Sequence, residues 1–210
     1  MKTLHQAWGV VKEHWHVYLW INLIYYGLVA IGMIYVAFNP ELQRTLIKAV
    51  GQSFTEGPLK LVGGAYTGGK LLSAMLLTFV INLFVGSFLS ITLPSLILPF
   101  SGLLLGIYRA ALWGLLLSPA SPELRLAMIP HSITLILEGQ AYILALLAAY
   151  QHGVGLFWPG RMGGETFWKR YLVGIKRTGL LYNLVILLLA VAAIYEALEV
   201  ILLVPLLVPR

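Results

Sequence analysis

The chain has 210 residues, 60% of them hydrophobic and only 10% charged, with a formal net charge of +6. So thin a polar complement excludes a water-soluble globule, which usually carries about 25% charged residues, and makes the bilayer the solvent that fits. All acidic residues are Glu and cysteine is absent, which excludes an aspartyl dyad, disulfides and thiolate metal sites.

In residues 1–16, Leu4, Trp8, Val11 and Trp15 recur at spacings of three and four between Lys2, Lys12 and Glu13. That spacing predicts an amphipathic interfacial helix. The first apolar run, 17–38, is long enough to span, and no cleavage signature follows it, so it reads as a retained first helix. Asn39-Pro40 ends it. Residues 40–56 place Leu42, Leu46, Ile47 and Val50 on one side of a second amphipathic helix. Gly57-Pro58, Gly63-Gly64 and Gly68-Gly69 then mark a flexible connection.

Further spans are expected over 71–93, 95–118, 126–158 and 180–203. Pro94 and Pro99 bracket the tight link between the second and third, and Pro130 kinks the start of the fourth. The expected fold is an all-α polytopic membrane helix bundle of about five spans. An amphipathic segment, 1–16, precedes a single transmembrane domain, 17–210, with an amphipathic outer connection at 39–70 and a basic inner loop at 159–178. The inner loop is shorter and denser in Lys and Arg than the outer one, which favours a cytoplasmic N-terminus. The basic residues sit in short connections, which points to lipid headgroups and away from nucleic acid.

The informative residues are those out of place in hydrocarbon. Arg109 lies in the third span, His131 and Glu138 in the fourth, and Glu196 and Glu199 in the fifth. Each is costly unless partnered or wetted. In the expected topology all five fall in one leaflet, so Arg109 is predicted to pair with Glu138, Glu196 or Glu199 in bidentate geometry. Asn82 and Gln140 are secondary intramembrane polar groups, read as interhelical hydrogen bonders. His152, near the inner end of the fourth span, reads as interfacial, as does Asn183.

His131 and Glu138 are seven apart and share a helix face, which Ala141, Ala145 and Ala149 continue. Gly102, Gly106, Ala110 and Gly114 recur every four residues and predict close helix packing. That makes the third and fourth spans the expected tight pair, or one of them a dimer contact.

Enzyme signatures fail. There is no His-Glu-x-x-His and no Gly-x-Ser-x-Gly, and Gly63–Lys70 is followed by Leu where a phosphate loop needs Ser or Thr. No enzyme activity, cofactor or resident metal is expected. His131, Glu138, Glu196 and Glu199 are the only metal-ligating candidates, for zinc or manganese.

Several segments carry a resemblance. Pro99–Arg109 is a glycine-spaced helix. Ile129-Pro-His-Ser132 is followed by Glu138-Gly-Gln-Ala141, then by Pro159-Gly-Arg161 and by Ala192–Glu199. Over about residues 70–205 these resemble the stage II sporulation protein M family of bacterial and archaeal membrane proteins. Ser132 stands where that family usually has Gly. The resemblance implies a non-enzymatic polytopic scaffold or complex subunit in a prokaryotic cell membrane, homodimeric, with membrane or cell-envelope protein partners. The alternative is a transporter or channel component that uses the Arg/His/Glu network as an ion, proton or solute site. A scaffold predicts a dry, fully paired network and an apolar dimer face; a transporter predicts a water-filled cavity that reaches Glu138 or Glu196; a metal hydrolase predicts a metal within about 2.3 Å of His131 and a carboxylate.

Overall fold

The computed structural model of the chain describes residues 2–120, 122–158 and 166–208, and no strand occurs among them. In chain order the helices are α1 (Lys2–Glu13), α2 (Trp15–Ala37), α3 (Pro40–Thr55), α4 (Lys60–Thr67), α5 (Leu71–Ile97), α6 (Ser101–Leu116), α7 (Pro122–Arg125), α8 (Met128–Phe157) and α9 (Phe167–Leu207). Among the described residues, four helices, α2, α5, α8 and α9, are long and apolar enough to cross a membrane. The expected third span is the 16-residue α6. At ~1.5 Å per residue it is about 24 Å long, short of the roughly 30 Å hydrocarbon core.

Proline explains why α5 does not end where the sequence predicted. Pro94 was expected to close a span at residue 93, yet the helix continues to Ile97. A helical proline removes an N–H and crowds the carbonyl four residues back. The chain absorbs this by widening into a π-helix over Ile81–Thr92, two residues before Pro94. The same device appears at Glu199–Leu203, two residues before Pro205. Such wide turns leave the helix continuous while shifting which side chains share a face.

Two expected connections are helical. The glycine-rich stretch after Pro58 forms α4, and residues 167–178 of the expected basic loop are the first turns of α9. Thr166 caps α9, its hydroxyl accepting from the Lys169 amide. Residues 159–165, including Pro159-Gly-Arg161, lie outside the described residues.

The centre of the bundle is α8. From Glu138 to Leu156 nearly all its side chains are buried, Ala141, Ala145 and Ala149 included. Its most extensive partner is α9, whereas α6 packs chiefly on α2. The expectation of a tight pair between the third and fourth spans is corrected accordingly. The α6 glycines show why. A Cβ on Gly114 would stand 2.3 Å from the Val29 carbonyl oxygen and 2.9 Å from Gly32 Cα. Gly102 faces the Ile91 carbonyl of α5, and Gly106 faces Leu146 of α8. All four stripe positions, with Ala110, are buried inside one chain. The stripe therefore offers no face to a second copy.

On the opposite side, Trp20, Leu23, Ile31 and Ile34 of α2 are more than half exposed. A run of that kind suits acyl chains as its solvent. α1 folds back onto α9, where Glu13 accepts from Arg177 at 3.0 Å. At the far end α3 lies over α6. Its buried Gln43 donates to the carbonyls of Leu116 (3.2 Å) and Ser118 (2.9 Å), which α6 leaves unpaired as it ends.

Candidate functional site: a polar cavity inside the bundle

Between α3–α4 on one side and α5, α6, α8 and α9 on the other lies a cavity of about 390 Å³. Arg109, His131, Glu138, Glu196 and Asn82 all line it, so four of the five expected network residues and one secondary residue share one space. Glu199, fully buried, stands behind His131.

Four of the five residues form two pairs, and Arg109 stands apart from both. In the first, His131 Nδ1 lies 2.9 Å from Glu199 Oε1, and Thr134 Oγ1 donates to Glu199 Oε2 at 2.6 Å. His131 and Thr134 stand one turn apart at the start of α8, and the antiparallel α9 brings Glu199 to both. Tyr195 Oη reinforces this end by donating to the Pro130 carbonyl at 3.1 Å. A carboxylate that accepts two bonds in an apolar interior is the satisfied form of a buried charge.

In the second group, the Glu138 and Glu196 carboxyls face one another from α8 and α9. Asn82 donates its amide to Glu138 Oε1. Asn82 reaches inward from the π-helical turn of α5, which runs parallel to α8 at this level.

Arg109 departs from expectation. Among the described residues no carboxylate oxygen lies within 4 Å of its guanidinium, and its buried Nε has no hydrogen-bond partner. Its Cζ sits 3.9 Å from the centroid of the Tyr142 ring and 5.1 Å from that of Trp113. The cause is register. Tyr142 stands one turn beyond Glu138 on the same face of α8, so a ring and not a carboxylate meets Arg109 across the gap. Gly86 makes the room, since a Cβ there would fall 3.3 Å from Arg109 Nη2 and 2.8 Å from Tyr142 Oη. Contacts of this kind are worth about 0.5–2 kcal/mol, depending on how far water is excluded. The predicted bidentate ion pair of Arg109 with Glu138, Glu196 or Glu199 is thus replaced by a cation held between two aromatic faces.

The remaining walls divide by character. Val50, Phe54, Leu59 and Val62 form an apolar wall contributed by α3, α4 and the turn between them. Beside it the hydroxyls of Tyr66 and Thr78 pair at 2.9 Å. Gln140 lies outside the cavity, in a network with α2. It accepts from Tyr18 Oη and donates to Asn22 Oδ1 (2.7 Å) and Tyr26 Oη (3.2 Å). Among the described residues Asn183 bonds only carbonyls of its own helix, and His152 is buried against Tyr171 of α9.

Among the described residues no three His or Glu side chains converge to hold a metal ion, so the candidate set His131, Glu138, Glu196 and Glu199 does not form a metal centre. Thr134, Trp113, Tyr142 and Gly86 are the site residues the sequence did not single out. Only their helical spacing from Glu138, His131, Arg109 and Asn82 could have found them. No family model matches the chain, and no curated protein or solved structure matches it either.

Proposed function

We propose that the chain is a multi-pass membrane transporter or channel component whose solute site is the cavity between α3–α4 and the bundle. The observation that carries this reading is the cavity itself, about 390 Å³ reaching both Glu138 and Glu196. A scaffold needs a dry network in which each charge has a partner. Here Arg109 has no anionic partner, and the Glu138–Glu196 pair has no cation within 4 Å among the described residues. Charged groups that line open space, on helices that otherwise shed charge, suit a solute or proton pathway. The resemblance to the stage II sporulation protein M family, with its scaffold role, homodimer and envelope partners, rests on sequence motifs alone. Five membrane passes and a cytoplasmic N-terminus belong to the same reading, α6 being its shortest pass.

The absence of native cysteine allows a direct test. Leu135→Cys places a thiol on the cavity wall, and Ile186→Cys places one on the exposed apolar face of α9. In proteoliposomes a charged, membrane-impermeant methanethiosulfonate reagent is expected to modify Leu135→Cys and to spare Ile186→Cys. If Leu135→Cys stays unmodified while a cysteine replacing the exposed Ser132 reacts, the cavity is closed to water and the reading fails.

A further inference from the structure

Resting on that reading, we infer that the cavity binds a small amphiphilic zwitterion: one molecule carrying an ammonium group, an anionic oxygen group and an apolar remainder. Arg109 and the Glu138–Glu196 pair line the same space, yet no nitrogen of Arg109 lies within 4 Å of a carboxylate oxygen among the described residues. Opposite charges held apart across one cavity are the complement of a ligand that carries both.

Charge balance leads to the same class. Arg109 is permanently cationic. Glu138 and Glu196 face one another, and two carboxyls so placed share a proton more readily than they carry two charges, which leaves the pair one negative charge. His131 and Glu199 already answer each other. A zwitterion enters such a site without adding net charge to a low-dielectric interior, whereas a lone cation or anion must bring or expel a charge.

Geometry assigns the ends. The guanidinium is fixed by the Tyr142 and Trp113 rings and lines the cavity, so it is presented ready-made to a planar anionic group. The ammonium falls to the carboxyl pair, where Asn82 already orients Glu138. The apolar remainder lies on Val50, Phe54 and Val62. A volume of about 390 Å³ is at the small end for ligand pockets, which suits a free apolar α-amino acid. The same headgroup chemistry occurs in phosphatidylethanolamine, whose acyl chains would trail from the mouth.

The test uses the full chain in nanodiscs of phosphatidylglycerol alone. Radiolabelled leucine, phenylalanine and methionine are titrated one at a time. Competitors are 3-methylbutylamine, which lacks the carboxylate, 4-methylpentanoate, which lacks the amine, and dihexanoyl phosphatidylethanolamine. Saturable binding of an amino acid, undisplaced by a tenfold excess of either single-charge analogue, supports the proposal. Displacement by, or sole binding of, the short-chain phosphatidylethanolamine supports it with lipid as the source. Arg109→Gln and Glu196→Gln should each weaken binding at least tenfold. Their thermal unfolding is recorded alongside, and Asn82→Asp provides a variant that keeps volume where Arg109→Gln fails to fold. Binding of 3-methylbutylamine or 4-methylpentanoate as tight as that of the zwitterion overturns the proposal, as does binding of none of these probes. In those cases modification of Leu135→Cys still stands for the solvated cavity, so the two readings fail separately.

Discussion

At the scale of single residues, burial decides which polar contacts matter. Glu199 is fully buried and accepts from Thr134 while pairing with His131. Thr134→Val removes one bond to a charged acceptor in an apolar setting, worth about 1.5–3 kcal/mol. Glu199→Ala strands both donors, and loss of one partner of a buried pair costs about 3–5 kcal/mol. Both variants should unfold at lower temperature in detergent, Glu199→Ala by the larger margin. The Glu41–Arg44 pair is closer, at 2.7 Å, but its side chains are 82% and 65% exposed. Glu41→Ala should leave the unfolding temperature unchanged, because water competes for exposed ion pairs. A drop for Glu41→Ala equal to that for Thr134→Val would contradict this ranking. Arg109 is a separate case. Arg109→Lys keeps the charge but not the flat guanidinium stacked on Tyr142, so it should lose much of the aromatic contact, worth about 0.5–2 kcal/mol. A calorimetric trace identical to the parent's would show that the rings do not hold it.

At the scale of helices, small residues set how closely pairs approach. Gly114→Ala drives a Cβ to 2.3 Å from a backbone oxygen of α2, which cannot move without moving the helix. Gly106→Ala meets only the Leu146 side chain, whose methyls can rotate away. Gly114→Ala should therefore cost more stability, in the range of about 1–3 kcal/mol for overpacking, and Gly106→Ala less. Equal losses in thermal unfolding would refute the distinction. Element placement also separates what could be read in advance from what could not. The run lengths of α2 and α8 were legible to within two or three residues, because long apolar stretches have few other solutions. Residues 167–178 were not. Their basic residues read as a loop, and their helicity depends on Gly174 lying against His152 and on Arg177 meeting Glu13, contacts distant in sequence. Pro94 misled for a different reason, since a π-helical turn accommodates it and no local signal announces that turn. In the site, the ionisable residues stood out against apolar surroundings. Tyr142 and Trp113 did not, because aromatic residues are ordinary in such helices, and so the partner of Arg109 was misassigned.

At the scale of the whole molecule, the cavity depends on how α3 and α4 are held over the bundle. α3 is long and mostly exposed, with Gln43 its one fully buried side chain. That side chain bonds two carbonyls at the end of α6, the helix that also supplies Arg109 and Trp113. Val50 and Phe54, which cover the cavity, sit two to three turns further along α3. Gln43 thus works as a pin at one end of a cover whose other end, α4, is held by the Tyr66–Thr78 bond and by apolar contacts. Gln43→Ala removes both bonds and leaves the Leu116 and Ser118 carbonyls to water, without touching any charged group of the site. The expected result is local opening with little change in global unfolding, since segments held by few buried contacts open below the global free energy. Hydrogen exchange across residues 40–55 should quicken, and the modification rate of Leu135→Cys should rise in the Gln43→Ala background. Exchange that quickens without faster labelling would mean that solute reaches the cavity by a route other than beneath α3. If neither rate changes, the apolar face of α3 holds the cover unaided, and the cavity volume seen here is the one the protein keeps in the membrane.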